Sequence, residues 1–180
     1  MIQNMTRNGH WKAGTGLVTI VAMAMILCGC PLVSEHPLSD PATARIDEAL
    51  LGVWKSQDPE SGEWRRLTFQ PFDGHGLVAS TPADKADAED SFHVFTTEME
   101  GERFLNIREL DTGMSGWYLL RYVIDGQKLV MTLVDDGLFK ERTFKGSAEL
   151  YEFVRQNISD PRLYASKPGE ENQDMIWERI

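Results

Sequence analysis

The stretch WYLLRYVIDGQKLVMTLV, residues 117–134, decides the fold class because it has the pattern of a β-hairpin. Aromatic and branched residues fill both arms, 117–124 and 128–134, and Asp125-Gly126-Gln127 joins them. An Asp-Gly pair between two apolar runs is among the strongest local hairpin signals, since glycine readily adopts the positive φ of a tight turn. The stretch therefore predicts two neighbouring antiparallel strands.

Further strand signals lie on both sides of this hairpin. Six short segments are rich in branched and aromatic residues or alternate in character, namely 52–56, 64–69, 76–80, 91–99, 103–110 and 174–180. Eight short strands separated by turns that contain Gly and Asp predict an all-β domain, either an antiparallel barrel or a sandwich. We assign this domain to residues 47–180.

One helix is predicted between the last two strands. Ser147 is a plausible N-cap, and Asp160-Pro161 ends the segment. The apolar side chains of this segment recur at helical spacing, which places them on one stripe: Leu150, Phe153, Val154 and Ile158.

The first 29 residues have the pattern of a secretory signal. Arg7 and Lys12 precede the uncharged run LVTIVAMAMIL, residues 17–27. A helix of that length spans roughly 16 Å at ~1.5 Å per residue, about half of a bilayer core, so it suits a signal segment and not a permanent span. A buried core helix is the alternative, and a uniformly apolar run beside a basic N-terminus fits it less well.

The apolar run leads into Leu27-Cys28-Gly29-Cys30, which resembles the bacterial lipobox. In that motif an aliphatic, a variable and a small residue precede the cysteine that receives lipid. Registering the motif on Cys28 would place bulky Leu27 at the cleavage site, so the resemblance implies lipid attachment, palmitate included, at Cys30. An ordinary secreted protein cut nearby is the alternative.

The resemblance also implies a location. Residue 31 is Pro and not Asp. In Gram-negative lipoproteins, Asp after the cysteine favours retention in the inner membrane, so we expect the outer membrane, facing the periplasm, if the source is Gram-negative.

Residues 30–46 contain three prolines and little periodicity, which predicts an extended tether. Its central fourteen residues would reach about 40 Å at roughly 3.1 Å each.

Two short motifs at the ends of the domain resemble the lipocalin or calycin pattern. They are Gly52-Val53-Trp54 in the first strand and Trp177-Glu178-Arg179-Ile180 in the last. The chain as a whole is similar to small bacterial lipocalin-like lipoproteins of unknown function. The resemblance implies an eight-stranded antiparallel lipocalin-like β-barrel, in which Trp54 closes the floor and Arg179 packs across it. The helix before the last strand departs from typical lipocalins, where a helix follows the barrel.

Charge and side-chain inventory exclude several function classes. Residues 30–180 carry 16 basic and 28 acidic side chains, a balance that repels phosphate backbones and disfavours nucleic-acid binding. The three histidines of this part, His36, His75 and His93, have no metal-ligand spacing, and a lipidated Cys30 leaves no free thiol. Ser115 lacks the Gly-x-Ser-x-Gly elbow, and carboxylate pairs such as Asp135-Asp136 arise by chance among so many acids. We therefore expect no metal, no cofactor and no enzymatic activity.

Arg121 is the one unusual charge, because it lies in a strand whose two faces are both apolar. It shares a face with Trp117, Leu119 and Val123. Two interpretations stay open: an inward-facing charge that binds an anionic ligand headgroup, or an outward side chain.

The expected function is that of a membrane-anchored lipoprotein whose barrel binds a small apolar or amphipathic ligand, since eight strands enclose room for one small ligand or for packed side chains alone. The alternative is a structural or protein-interaction lipoprotein of the cell envelope.

Overall fold

All eight predicted strands are present, and one short strand precedes them. The computed structural model describes residues 32–58, 61–82, 89–110, 116–140, 142–164 and 174–180. The strands are β1 (Val33–Ser34), β2 (Gly52–Gln57), β3 (Trp64–Pro71), β4 (Leu77–Pro82), β5 (Glu89–Met99), β6 (Glu102–Glu109), β7 (Trp117–Asp125), β8 (Lys128–Leu133) and β9 (Met175–Arg179). The helix α1 is Ser147–Gln156, and short 3₁₀ turns are Pro41–Thr43, Glu48–Leu50, Asp136–Leu138 and Pro161–Leu163.

The sheet closes on itself, which makes the fold an all-β, lipocalin-like barrel. Each strand from β2 to β9 pairs antiparallel with its neighbours in the chain. The last strand also pairs with the first strand of the barrel, because Trp54 lies opposite Arg179. Closure leaves no free sheet edge between β2 and β9, so strand-to-strand aggregation at an edge is avoided. The predicted eight-stranded barrel is confirmed.

The barrel has two ends, which we name by the direction of its strands. At the lower end β2 begins at Gly52 and β9 ends at Arg179. At the upper end β7 begins at Trp117, β9 begins at Met175 and β6 ends at Glu109. The two names are used in this sense throughout.

The hairpin of β7 and β8 forms as predicted. Asp125 pairs with Lys128 across a turn of two residues. Gly126 has a φ of 58°, in the left-handed region that glycine enters without a steric penalty.

Helix α1 lies between β8 and β9, and its start differs from the prediction. Ser147 is the first helical residue and not the N-cap, which is Gly146 without a side-chain hydrogen bond. The Glu149 carboxylate instead accepts from the backbone N–H of Lys145 over 2.8 Å. Leu150 and Val154 are buried, and they pack in one cluster with Phe104 and Leu119 on the outer face of the barrel.

The segment before β2 is not the extended tether predicted over 30–46. Leu38 is 1% exposed, and its backbone N–H donates to the Asn106 side-chain oxygen over 2.7 Å. Ser39 and Thr97 share a hydrogen bond of 2.6 Å, and the Thr96 hydroxyl donates to the carbonyl of Arg45. Apolar residues in this segment thus bury against the barrel, and side chains of β5 and β6 replace the ladder bonds that a proline-rich segment lacks.

Inward-facing side chains fill the barrel. The buried ones are Leu50, Trp54, Leu67, Phe69, Leu77, Ala79, Val94, Leu105, Leu120, Tyr122, Leu129 and Met131. They alternate along the strands with outward residues, as the two-residue period of a strand requires. A second apolar cluster lies outside the barrel, where α1 and the segment before β2 cover β6 and β7.

Candidate functional site: the two ends of the barrel

The lower end is closed by the segment that leads into β2. Trp54 is 0% exposed, and its indole N–H donates to the Leu50 carbonyl over 2.8 Å. The Arg179 guanidinium carbon lies 4.3 Å from the centroid of the Trp54 ring. The pair implied by the lipocalin resemblance is therefore in contact and forms the barrel floor.

Arg179 also holds the entering segment in place. Its guanidinium donates to the carbonyl of Leu51 over 2.7 Å and to that of Ala49. Gly52 follows with a φ of 116°, a backbone conformation that L side chains rarely adopt. The glycine of the Gly-x-Trp motif is thus required by the turn into β2.

A second polar group at the lower end is centred on Asp47. Its carboxylate accepts from the Tyr122 hydroxyl over 2.8 Å and from Arg103 over 2.9 Å. The Arg103 guanidinium also lies 4.9 Å from the Tyr122 ring centroid. Burial, and then the bond to Asp47, raises the pKa of Tyr122. This hydroxyl stays protonated, so its role is that of a structural donor to Asp47.

A cleft of about 290 Å³ lies beside this ion pair. Its walls are Arg45, Ile46, Asp47, Thr96, Thr97, Glu98, Arg103 and Tyr122. Asp47 neutralises Arg103 and accepts from the Tyr122 hydroxyl, so these three polar groups of the cleft bind one another. The ion pair and the Tyr122 hydroxyl fix the segment before β2 across the lower end.

The upper end has a different character. Six apolar or aromatic side chains on the inner face are only partly buried, and they pack on the filled core below them. We call this group the upper cup: Phe92, Ile107, Tyr118, Leu133, Met175 and Trp177. Because the layers beneath are filled by side chains such as Leu67 and Leu120, the cup is shallow.

Trp177 carries the one chemical irregularity of the cup. Its indole Nε1 is shielded from solvent and has no hydrogen-bond partner among the described residues. Leaving a buried donor unpaired is unfavourable by ≈ 1–3 kcal/mol, so such groups call for an explanation. Trp177 lies one inward position below Met175 on β9, at the base of the cup.

Charged side chains lie beside the cup at the upper end. Arg65 forms an ion pair with Asp58, which is itself buried. Burial, with Glu109 nearby, raises the pKa of the Tyr118 phenol, so this ring stays neutral. The upper cup is therefore a group of apolar side chains with charged residues beside it.

Arg121 is not a ligand-facing residue of the barrel interior. The inner face of β7 carries Tyr118, Leu120, Tyr122 and Ile124, so Arg121 lies on the outer face. There its guanidinium carbon is 4.3 Å from the Tyr164 ring centroid. The interior interpretation is wrong, because strand alternation places the even-numbered residues of β7 inside and Tyr164 covers Arg121 outside.

Two of the described histidines, His75 and His93, make local structural contacts. The His75 ring nitrogen Nδ1 lies 2.9 Å from the Ala44 carbonyl oxygen. His93 lies among aromatic rings on the outer wall, 5.4 Å from Phe72 and 5.8 Å from Trp117 between centroids. Burial, followed by the nearby charge of Arg108, lowers the pKa of His93.

Within the described ranges, no group of three or more metal-ligating side chains could hold an ion. Cys28, Cys30 and Ser115 lie outside those ranges.

A further cleft, of about 330 Å³, opens on the outside of the barrel beside β1. Its walls combine apolar and charged side chains: Leu32, Val33, Ser34, Glu35, His36, Asp136, Phe139, Lys140, Arg142, Thr143 and Phe144. The Lys140 Nζ lies 3.9 Å from the Asp136 Oδ1, so the carboxylate offsets part of the lysine charge within the cleft. Through Val33, which pairs with Tyr118, this cleft borders the upper cup on the outside of the barrel.

No protein-family model, curated protein or solved structure matches this chain. Among the residues that the structure describes, none belongs to a helix with the length and apolar character needed to cross a bilayer.

Proposed function

We propose that the chain is a lipid-anchored bacterial lipoprotein whose barrel binds a small apolar or amphipathic molecule in the upper cup. The observation that supports this proposal is the contrast between a sealed lower end and six partly exposed apolar side chains at the upper end. Covering apolar surface contributes about 25 cal/mol per Å², so a ligand seated on the cup gains affinity from area that the free protein leaves wet.

The unpaired indole of Trp177 narrows the chemistry of the ligand. If binding displaces the side chains that shield Nε1, a carboxylate, ester carbonyl or hydroxyl oxygen of the ligand accepts from its N–H and removes the penalty of an unpaired donor. The filled core beneath limits the ligand to a shallow position. A short amphipathic molecule with one buried acceptor fits both constraints.

The membrane anchor is proposed at Cys30. The lipobox-like Leu27-Cys28-Gly29-Cys30 and the preceding apolar run support lipid attachment there. Two or three acyl chains make such an anchor stable, since each buried methylene contributes about 0.8 kcal/mol. The absence of Asp at position 31 favours the outer membrane, facing the periplasm, in a Gram-negative source.

Ligand binding is tested with cis-parinaric acid, an amphipathic carboxylic acid whose fluorescence rises in apolar surroundings. We expect saturable binding that Phe92→Ala weakens severalfold, because Phe92 lies in the cup. The matched control is Val123→Ala, which removes an exposed apolar side chain on the outer face of β7 and is expected to leave binding unchanged. Equal loss in both variants, or no saturable binding by the wild type, contradicts the proposal.

The anchor is tested by mass spectrometry of the mature N-terminus. We expect Cys30 as the first residue, carrying a diacylglyceryl group, and we expect Cys30→Ser to give an unprocessed or soluble form. A free Cys30 thiol or a cut elsewhere contradicts this assignment.

A protein-interaction role is the second candidate, and one surface feature favours it. Val123, Val130 and Ile176 are in register on the outer faces of β7, β8 and β9. Val123 and Ile176 are both exposed, which makes a short apolar stripe that a partner could cover. Native mass spectrometry after mild extraction separates the two roles: a bound lipid-sized mass supports the cup, and a defined stoichiometric protein lost on Ile176→Asp supports the stripe.

We further propose that the protein binds without catalysing hydrolysis. His75, His93 and the Asp47 carboxylate are engaged in structural contacts, which supports a role without turnover. A screen of ester, peptide, phosphate and glycoside substrates, with and without zinc, checks this. Turnover that survives purification and disappears in His75→Gln or His93→Gln contradicts it.

A further inference from the structure

The described chain begins at the upper end of the barrel, at a fixed position. Leu32 is buried, and its backbone N–H donates to the Val134 carbonyl over 3.1 Å. Val33 pairs with Tyr118, a residue of the upper cup. Because Ser34 lies opposite Trp117 and Val33 opposite Tyr118, β1 runs toward the upper end. Leu32 therefore lies one residue below Val33, on the outer wall close to the cup.

The proposed lipid site is very close to this point along the chain. Cys30 precedes Leu32 by two residues, and two residues span at most about 7 Å when fully extended. A tether of about 40 Å, as predicted from the proline content, is excluded by the position of Leu32. Acyl chains on Cys30 would hold the upper end against the membrane.

Exposed apolar side chains are spaced around the same end. Trp64 begins β3 and is 63% exposed, Leu110 follows β6 and is 41% exposed, and Val33 of β1 is 47% exposed. We call these three residues the apolar rim. They lie on different strands around the barrel, so they present several separate points to a flat surface. Tryptophan favours the boundary between lipid and water, because its ring is apolar and its N–H is polar.

We propose that the upper end of the barrel docks on the bilayer that holds the Cys30 lipid, so that the upper cup opens onto the membrane surface. The proposal rests on lipid attachment at Cys30. It deepens the proposed function, because it makes membrane lipid the source of the amphipathic ligand. Exchange between cup and bilayer then needs no passage of the ligand through water.

Charge does not drive this contact. Residues 30–180 have 12 more acidic than basic side chains, and an anionic leaflet repels negative charge. The acyl chains and the apolar rim must therefore supply the attraction. We expect the docked geometry to persist at high salt, since apolar contacts are not screened by ions.

The test uses the full lipidated protein in phosphatidylcholine vesicles that contain a nitroxide-labelled lipid. Once Cys30 is lipidated, the mature chain has no other cysteine, so a single introduced thiol takes a fluorescent label. Leu110→Cys places the label on the apolar rim. The matched control, Ile180→Cys, places it at the lower end on a side chain that is 72% exposed. We expect nitroxide quenching to be severalfold stronger at position 110.

A Gly/Ser linker inserted between Pro31 and Leu32 keeps the anchor and removes the short connection. We expect the linker variant to lose part of the difference between the two labels. Equal quenching at positions 110 and 180 in protein that floats with the vesicles overturns the docking inference and leaves the anchor intact. Protein that fails to float, with an unmodified Cys30 by mass spectrometry, overturns the anchor and the docking inference together.

Discussion

The lower and upper ends are built from the same eight strands. They differ in whether the indole N–H of their tryptophan has a hydrogen-bond acceptor. At the lower end, the Trp54 indole N–H has the Leu50 carbonyl as acceptor, and Arg179 covers the ring. At the upper end, the Trp177 indole N–H has no acceptor among the described residues, and the ring stays partly exposed. The complete network stabilises the fold, whereas the incomplete one leaves a buried donor without an acceptor among the described residues.

The contrast extends to the segments that lie against each end. The chain entering β2 lies across the lower end and supplies Asp47 to Arg103 and Tyr122. At the upper end, the start of the described chain lies beside the cup and pairs with the first residues of β7. The lower end is thus covered by the segment before β2, whereas the described start of the chain lies beside the upper end.

The largest effect should come from removing the floor. Trp54→Ala deletes a fully buried indole, and we expect the free energy of unfolding to fall by about 3–5 kcal/mol. Urea denaturation measures this loss. The control is Trp64→Ala at the exposed start of β3, where we expect a change below about 1 kcal/mol. Similar losses in both variants would show that the lower end is not the stabilising one.

Removal of the second lower-end group should have the next largest effect. Asp47→Ala takes the acceptor from Tyr122 and Arg103 and the cap from the following 3₁₀ turn, so we expect a loss of about 1–3 kcal/mol. Asp40→Ala is the matched control, since Asp40 caps a 3₁₀ turn in the same way without those two partners. The amount by which Asp47→Ala lowers the free energy of unfolding beyond Asp40→Ala measures the contribution of the bonds to Tyr122 and Arg103. Equal losses in the two variants would mean that only the cap contributes.

At the upper end, the substitution Trp177→Phe should separate binding from stability. It removes the unpaired N–H and keeps an aromatic ring, so we expect the free energy of unfolding to change by no more than about 1 kcal/mol. Loss of a hydrogen bond to the ligand, worth about 1 kcal/mol, should weaken binding roughly fivefold. Calorimetric titration of the wild type and of Trp177→Phe with a short fatty acid measures this loss of affinity. Unchanged affinity would remove Trp177 from the site.

The smallest expected effect concerns the outer wall between the two ends. Burial lowers the pKa of His93 below its ordinary 6.5, so the folded state binds this proton less readily than the unfolded chain. The contribution of neutral His93 to stability is fully present above the pKa that this ring has in the unfolded chain. It declines as the pH falls through the lower pKa of the folded state. Arg108 opposes protonation, and Asp73 favours it.

Titration of the His93 ring by NMR checks this direction, and we expect a midpoint below 6.5. Stability measured from pH 8 to pH 5 should fall more in the wild type than in His93→Gln. A midpoint above 6.5 would contradict the burial of this ring.

The strands were predictable from the sequence because their signals are local. Alternation along each strand and the Asp-Gly turn of β7 and β8 depend on neighbouring residues alone. The pairing of Trp54 with Arg179 joins residues far apart in the chain, and it was predictable through the lipocalin resemblance of their two motifs.

The features that were not predicted depend on contacts between distant residues. Leu38 can be buried because its backbone N–H donates to the side-chain oxygen of Asn106, 68 positions further along the chain. Nothing in the sequence near Leu38 indicates that acceptor. The orientation of Arg121 was open because both faces of β7 are apolar. The upper cup was not predicted because strand register alone decides which inward side chains lie at the same end.

The most direct test of the contrast between the ends is a nitrogen–proton correlation spectrum of the two indole N–H groups, recorded while a short fatty acid is added. Assignment by Trp54→Phe and Trp177→Phe identifies the two resonances. We predict that the Trp177 signal moves downfield and saturates as its N–H gains an acceptor, whereas the Trp54 signal, already bonded to Leu50, stays in place. A Trp177 signal that does not move at saturating ligand, or that moves together with Trp54, would contradict a ligand site in the upper cup.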